Sequence, residues 1–92
     1  MALQKPIKYK VTFSKKAIKV LEKFPKDYQV KIKDVTNKLV QNPFALDLKM
    51  MQASDATHRL RIGPYRLFLQ IDTTLKEIII STIKRRTTQT YR

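Results

Sequence analysis

All six arginines of this chain fall at or after position 59, at 59, 61, 66, 85, 86 and 92, whereas 12 of its 14 lysines lie at or before Lys49. A guanidinium is a planar fork suited to bidentate contact with phosphate, while a lysine is a solvated point charge, so this segregation marks the C-terminal part as the place for chemistry. Gly63-Pro64 predicts a two-residue hairpin turn of type II′, with glycine at the central position that needs positive φ. That turn fixes a register in which Ile62 opposes Tyr65, Arg61 opposes Arg66, Leu60 opposes Leu67, and Arg59 opposes Phe68. Alternation then sets Arg59, Arg61, Arg66, Phe68 and Gln70 on one face, and Leu60, Ile62, Tyr65, Leu67, Leu69 and Ile71 on the other. Directly opposed like charges weaken a sheet, so the Arg61/Arg66 pair predicts an anion between them, a phosphate backbone and RNA before other polyanions. The plainer alternative is a solvated outer face, or arginines paired with Asp47, Asp55 or Asp72. Phe68 is either covered by the C-terminal tail or a stacking platform for a base.

The tail adds Lys84, Arg85, Arg86 and Arg92 to this charge. Arg85 shares the parity of Ser81 and Ile83, so the face it reaches depends on where its strand stops. Tyr91 either stacks on a base or anchors the tail. His58, the only histidine, has the parity of Leu60 and Ile62 and is expected to be structural. With no cysteine, one histidine and scattered carboxylates there is no convincing metal cluster, and one glycine cannot make a phosphate-cradling loop. The expected chemistry is free of metal and cofactor.

The elements that must position these residues follow from periodicity. Ile7, Tyr9, Val11 and Phe13 alternate with polar residues as a half-buried strand. Ser14 is placed to cap a short helix carrying Ala17, Ile18, Leu21 and Phe24 on one face, stopped by Pro25. Tyr28, Ile32, Val35 and Leu39 predict a second amphipathic helix, ended by Asn42 and Pro43. Residues 44–57 show no clean period and read as a connector. Three strands follow, His58 to Ile62, Tyr65 to Asp72, and Glu77 to Ile83, and the Ile78-Ile79-Ile80 run predicts a central place for the last.

The expected fold is α+β, with two N-terminal helices packed on one face of a mainly antiparallel sheet in the order β-α-α-β-β-β, leaving the other face for a ligand. Ninety-two residues make one domain, 1–92, with a thin core. Twenty basic residues against seven acidic ones give a formal charge of +13, whose self-repulsion calls for a polyanionic partner. The N-terminus lacks an apolar signal core, and no apolar run nears the ~20 residues of a membrane span, so a soluble, cytoplasmic protein with no membrane partner is expected.

The run from His58 to Asp72, the run from Ile78 to Ile83, Lys84-Arg85-Arg86 and Tyr91 together resemble the RelE/ParE toxin superfamily. The segment from Tyr9 to Ala17 and the helix end from Leu39 to Pro43 match its N-terminal half, so the resemblance covers almost the whole chain. It implies the toxin of a type II toxin–antitoxin pair, a ribosome-dependent endoribonuclease that cleaves mRNA by attack of a ribose 2′-OH on the adjacent phosphate. The ParE branch has the same fold and poisons DNA gyrase instead; a non-catalytic RNA-binding module is a further alternative.

By resemblance, Arg59 and Arg61 grip the scissile region, Arg66 stabilises the phosphate, Arg85 serves the leaving group, and Tyr91 stacks on or activates the nucleophile. Arginine is a poor base, so Tyr91 is the expected proton acceptor, with Lys84, Arg86 and Lys49 as substitutes. Lys49, Arg59, Phe68, Lys84 and Arg86 are the expected RNA contacts. The resemblance also implies mRNA on the ribosome with contacts to ribosomal RNA, a cognate antitoxin that covers the basic face, and room for a higher-order toxin–antitoxin assembly.

Overall fold

The computed structural model describes residues 8–52 and 56–85. The elements are β1 (Lys10–Phe13), α1 (Lys15–Leu21), α2 (Lys26–Gln41), a 3₁₀ turn at Pro43–Ala45, β2 (Leu48–Met50), β3 (His58–Ile62), β4 (Tyr65–Asp72) and β5 (Glu77–Arg85). The sheet runs β1-β5-β4-β3-β2. β1 pairs with β5 in parallel and every other pairing is antiparallel. The α+β class and the expected element order are both present, and the sheet gains one strand, β2, from within the predicted connector. β2 is three residues long, too short to show a period, and exists because β3 offers it a free edge.

Ser14 joins the first strand to the first helix. Its Oγ accepts a hydrogen bond from the Ala17 amide at 3.0 Å, the N-cap the sequence predicts, and donates to the Ser81 carbonyl on β5 at 2.7 Å. α1 ends at Leu21, before Phe24, so its apolar stripe is narrower than the periodicity suggests: Ala17 is buried and Ile18 is exposed. α2 buries Ile32 and Leu39 and turns its lysines outward. These residues pack on Leu60, Leu67, Leu69, Ile78, Ile80 and Ile83 of the sheet. Each fully buried Ile or Leu contributes about 1.5–3 kcal/mol. The outer sheet face carries no helix, and it is there that Arg61, Gln70 and Ile79 stay exposed. β5 lies between two strands as predicted, yet Ile79 is open to solvent, so apolar residues on both parities here do not mean cover on both faces. Among the described residues no helix is long and apolar enough to cross a membrane.

Candidate functional site

Gly63 has φ +56°, and Pro64 cannot take positive φ, so of the two tight hairpin turns only type II′ accommodates the pair. The turn is braced from the helix side. A Cβ at Gly63 would stand 2.9 Å from Cε1 of Tyr28, so the α2 ring lies directly against the turn. Tyr28 meets Tyr65 edge-on at 5.0 Å between centroids, and Phe24 stacks on Tyr65 at 4.0 Å. The first residue of β4 is thereby held by two rings from the helix side.

The register follows the prediction pair by pair: Arg61 opposes Arg66 and Arg59 opposes Phe68. Neighbouring strands extend both pairs into rows across the outer face. Lys84 of β5 lies beside Arg66, giving the row Lys84, Arg66, Arg61. Thr82 lies beside Phe68, and Lys49 of β2 beside Arg59, giving the row Thr82, Phe68, Arg59, Lys49. Five cations thus occupy one end of one sheet face.

Carboxylates do not neutralise them. Among the described residues the ion pair formed is Lys38 with Asp34, on the exposed side of α2. Asp47 shares a shallow pocket of about 220 Å³ with Lys49, Arg59 and Arg61 but makes no ion pair with them. Asp72 is engaged in its own turn, accepting from the amides of Thr74 and Leu75 at 2.9 Å each. Asp55 lies outside the described residues. The remaining acids of this face, Asp72 and Glu77, line a hollow at its far end with Thr57, Gln70 and Ile79. The face is therefore basic at the hairpin end and mixed in charge at the other, where Lys10 of β1 lies beside Glu77.

A β-bulge decides which C-terminal cations belong to the site. The β4–β5 register shifts between Phe68 and Leu69, with Ser81 the extra residue on β5. Ser81 Oγ donates to the Phe68 carbonyl at 3.0 Å, which pins the bulge. Before it, Ile78 and Ile80 face the core; after it, Ile83 does. The shift sends Thr82 and Lys84 to the outer face. It also pairs Arg85 with Tyr65, on the parity of the helix-bearing face, where Arg85 is exposed at the strand end. The structure thus brings Arg59, Arg61, Arg66, Phe68, Lys49 and Lys84 together and leaves Arg85 on the other parity. Arg86 and Tyr91 lie outside the described residues.

Phe68 is half-buried with the Lys84 ammonium 5.7 Å from its ring centroid, so its cover within the described residues is a lysine. His58 keeps the core-side parity, its ring edge-on to Phe44 at 6.0 Å and its Nδ1 2.9 Å from Thr57 Oγ1, away from the arginine rows. Sequence reasoning passed over Thr82, because its face is set by a bulge no local pattern announces. Chemically, this is a strip of fixed positive charge that can hold two or more phosphates and offset charge developing on one of them.

Residues 11–89 match the family described as the ParE toxin of the type II toxin–antitoxin system parDE. A protein named as toxin RelE1 from Methanocaldococcus jannaschii is 31% identical over 83 residues, covering 87% of this chain and 92% of its own length. Among solved structures, the toxin–antitoxin complex RelBE2 from Mycobacterium tuberculosis superposes with a TM-score of 0.76 at 25% identity, over 89% of this chain and 95% of that one. The archaeal RelE–RelB complex from Pyrococcus horikoshii OT3 has a TM-score of 0.78 at 23% identity, over 89% and 99%.

Proposed function

The chain belongs to the ParE toxin family of type II toxin–antitoxin systems, within the RelE/ParE superfamily, and on that premise we propose that it is an endoribonuclease that cuts mRNA on the ribosome. It is the toxin member of a RelBE-type pair, and its partner is a cognate antitoxin. The observation that carries the nuclease reading is the Arg61/Arg66 pair flanked by Arg59, Lys49 and Lys84, with no carboxylate paired to any of them among the described residues.

In this reading a ribose 2′-oxygen attacks the adjacent phosphorus. The P–O5′ bond breaks, leaving a 2′,3′-cyclic phosphate on one fragment and a 5′-OH on the other. One group removes the 2′ proton and another supplies a proton to the departing O5′. Arg61 and Arg66 hold the non-bridging oxygens as negative charge builds. Arg59 and Lys49 take the neighbouring phosphate, and Phe68 offers a ring to a base. Tyr91 is assigned proton removal. The leaving-group role falls to Arg85 by family resemblance; Lys84, in the row of Arg66 and able to release a proton as arginine cannot, is the competing assignment. Arg86 adds a further positive charge to the chain that follows. The antitoxin segment that covers this strip is acidic, since five unpaired cations would otherwise be buried uncompensated.

The test is to add the protein to a translating extract and map message ends. New 5′-OH ends within codons, lost in Arg66→Ala, are the expected result; intact message, or full cleavage by Arg66→Ala, overturns the assignment. The match to the ParE description favours a second reading, inhibition of DNA gyrase, which predicts lost supercoiling with intact message. RNA binding without either effect would mark a non-catalytic module.

A further inference from the structure

Among the described residues, two buried side-chain polar atoms have no hydrogen-bond partner, Arg66 Nε and Thr82 Oγ1, and both belong to the same small square of the outer face. Its corners are Arg66 and Lys84 in one row and Phe68 and Thr82 in the next. Lys84 stands beside Arg66 but its ammonium lies 5.7 Å over the Phe68 ring. Its side chain therefore spans one diagonal of the square, while Arg66 and Thr82, which carry the two buried unpartnered atoms, hold the other. Buried donors without partners are uncommon, and two of them on either side of one flexible side chain mark a place completed by something else.

We propose that Thr82 is an RNA-contacting residue, whose hydroxyl joins Arg66 Nε on a non-bridging oxygen of the bound strand once Lys84 swings off Phe68. The move is self-consistent. The arriving phosphate draws the ammonium away from the ring, and its departure opens both donors to the phosphate and the Phe68 face to a base. A threonine hydroxyl and a guanidinium N–H donate to the same oxygen without competing for protons. The inference rests on the RNA reading of this face. It adds to it a neutral contact that no count of charges would find, and a closed resting state for the strip.

The experiment measures binding of the full-length chain to ribosomes programmed with a message whose A-site codon carries 2′-O-methyl groups, which block attack. Thr82→Val, which keeps shape and removes the hydroxyl, is expected to weaken message-dependent binding roughly 10- to 100-fold, as loss of a hydrogen bond to a charged group does. Its salt dependence stays that of the wild type, because no charge is lost. Lys84→Met lowers the slope of log affinity against log salt by about 0.7, one phosphate contact on a single strand. Thr82→Ser, which restores the hydroxyl, binds as the wild type does. Thr82→Val binding like the wild type overturns this inference and leaves the RNA reading standing, as does equal loss in Thr82→Ser, which keeps the hydroxyl and would show that the hydroxyl is not what the binding needs. Wild-type binding that ignores the message overturns both.

Discussion

Arg61 and Arg66 oppose each other across two strands with no acid paired to either among the described residues, so the free protein holds a repulsion that a bound anion would remove. Arg61→Ala should therefore stabilise the unliganded chain by about 0.2–1 kcal/mol while weakening the proposed cleavage of message. A urea melt of the two proteins checks this; an unchanged or lower midpoint would mean that the guanidinium groups already avoid each other. This pair was legible in the sequence because a glycine-proline turn of two residues leaves no freedom in register. Lys84 and Arg85 were not, since alternation counted from Ile78 fails after Ser81, where the bulge inserts a residue. Local parity is reliable only up to the first irregularity, and here the irregularity falls inside the site.

At the level of elements, the hairpin that carries the arginines is anchored through its bend. Gly63 needs a left-handed backbone and lies against the Tyr28 ring, so the turn and α2 fit only with a hydrogen at that position. Gly63→Ala should cost about 1–2 kcal/mol for the backbone alone, with displacement of Tyr28 adding to it. Repeating the substitution in a Tyr28→Ala background should shrink the cost toward the backbone share. An undiminished cost in that cycle would show that the ring does not press on the turn. The turn and both helices were readable from composition and period. β2 was not, because Leu48–Met50 carries no alternation of its own and is a strand only by virtue of the edge beside it. The exposure of Ile18 has the same origin: a period finds a helix face, but which part of that face is covered depends on where α1 stops relative to β5.

For the molecule as a whole, fold class and excess charge were both evident early, since one follows from the sequence of periods and the other from counting. The parallel pairing of β1 with β5 was beyond reach, because it links Lys10 to Glu77 and nothing local encodes so distant a contact. That pairing has a temporal consequence. β5 fills the gap between β1 and β4, and it also carries Lys84 into the cationic strip, so neither the complete sheet nor the complete strip exists until residues 77–85 have left the exit tunnel. A nascent chain stalled ahead of Glu77 should be cut by protease as readily as unstructured polypeptide; resistance to digestion would show that the earlier strands and helices hold together unaided. Threading its last interior strand late means that the positive charge gathers into one strip only after every other strand bordering it has been made.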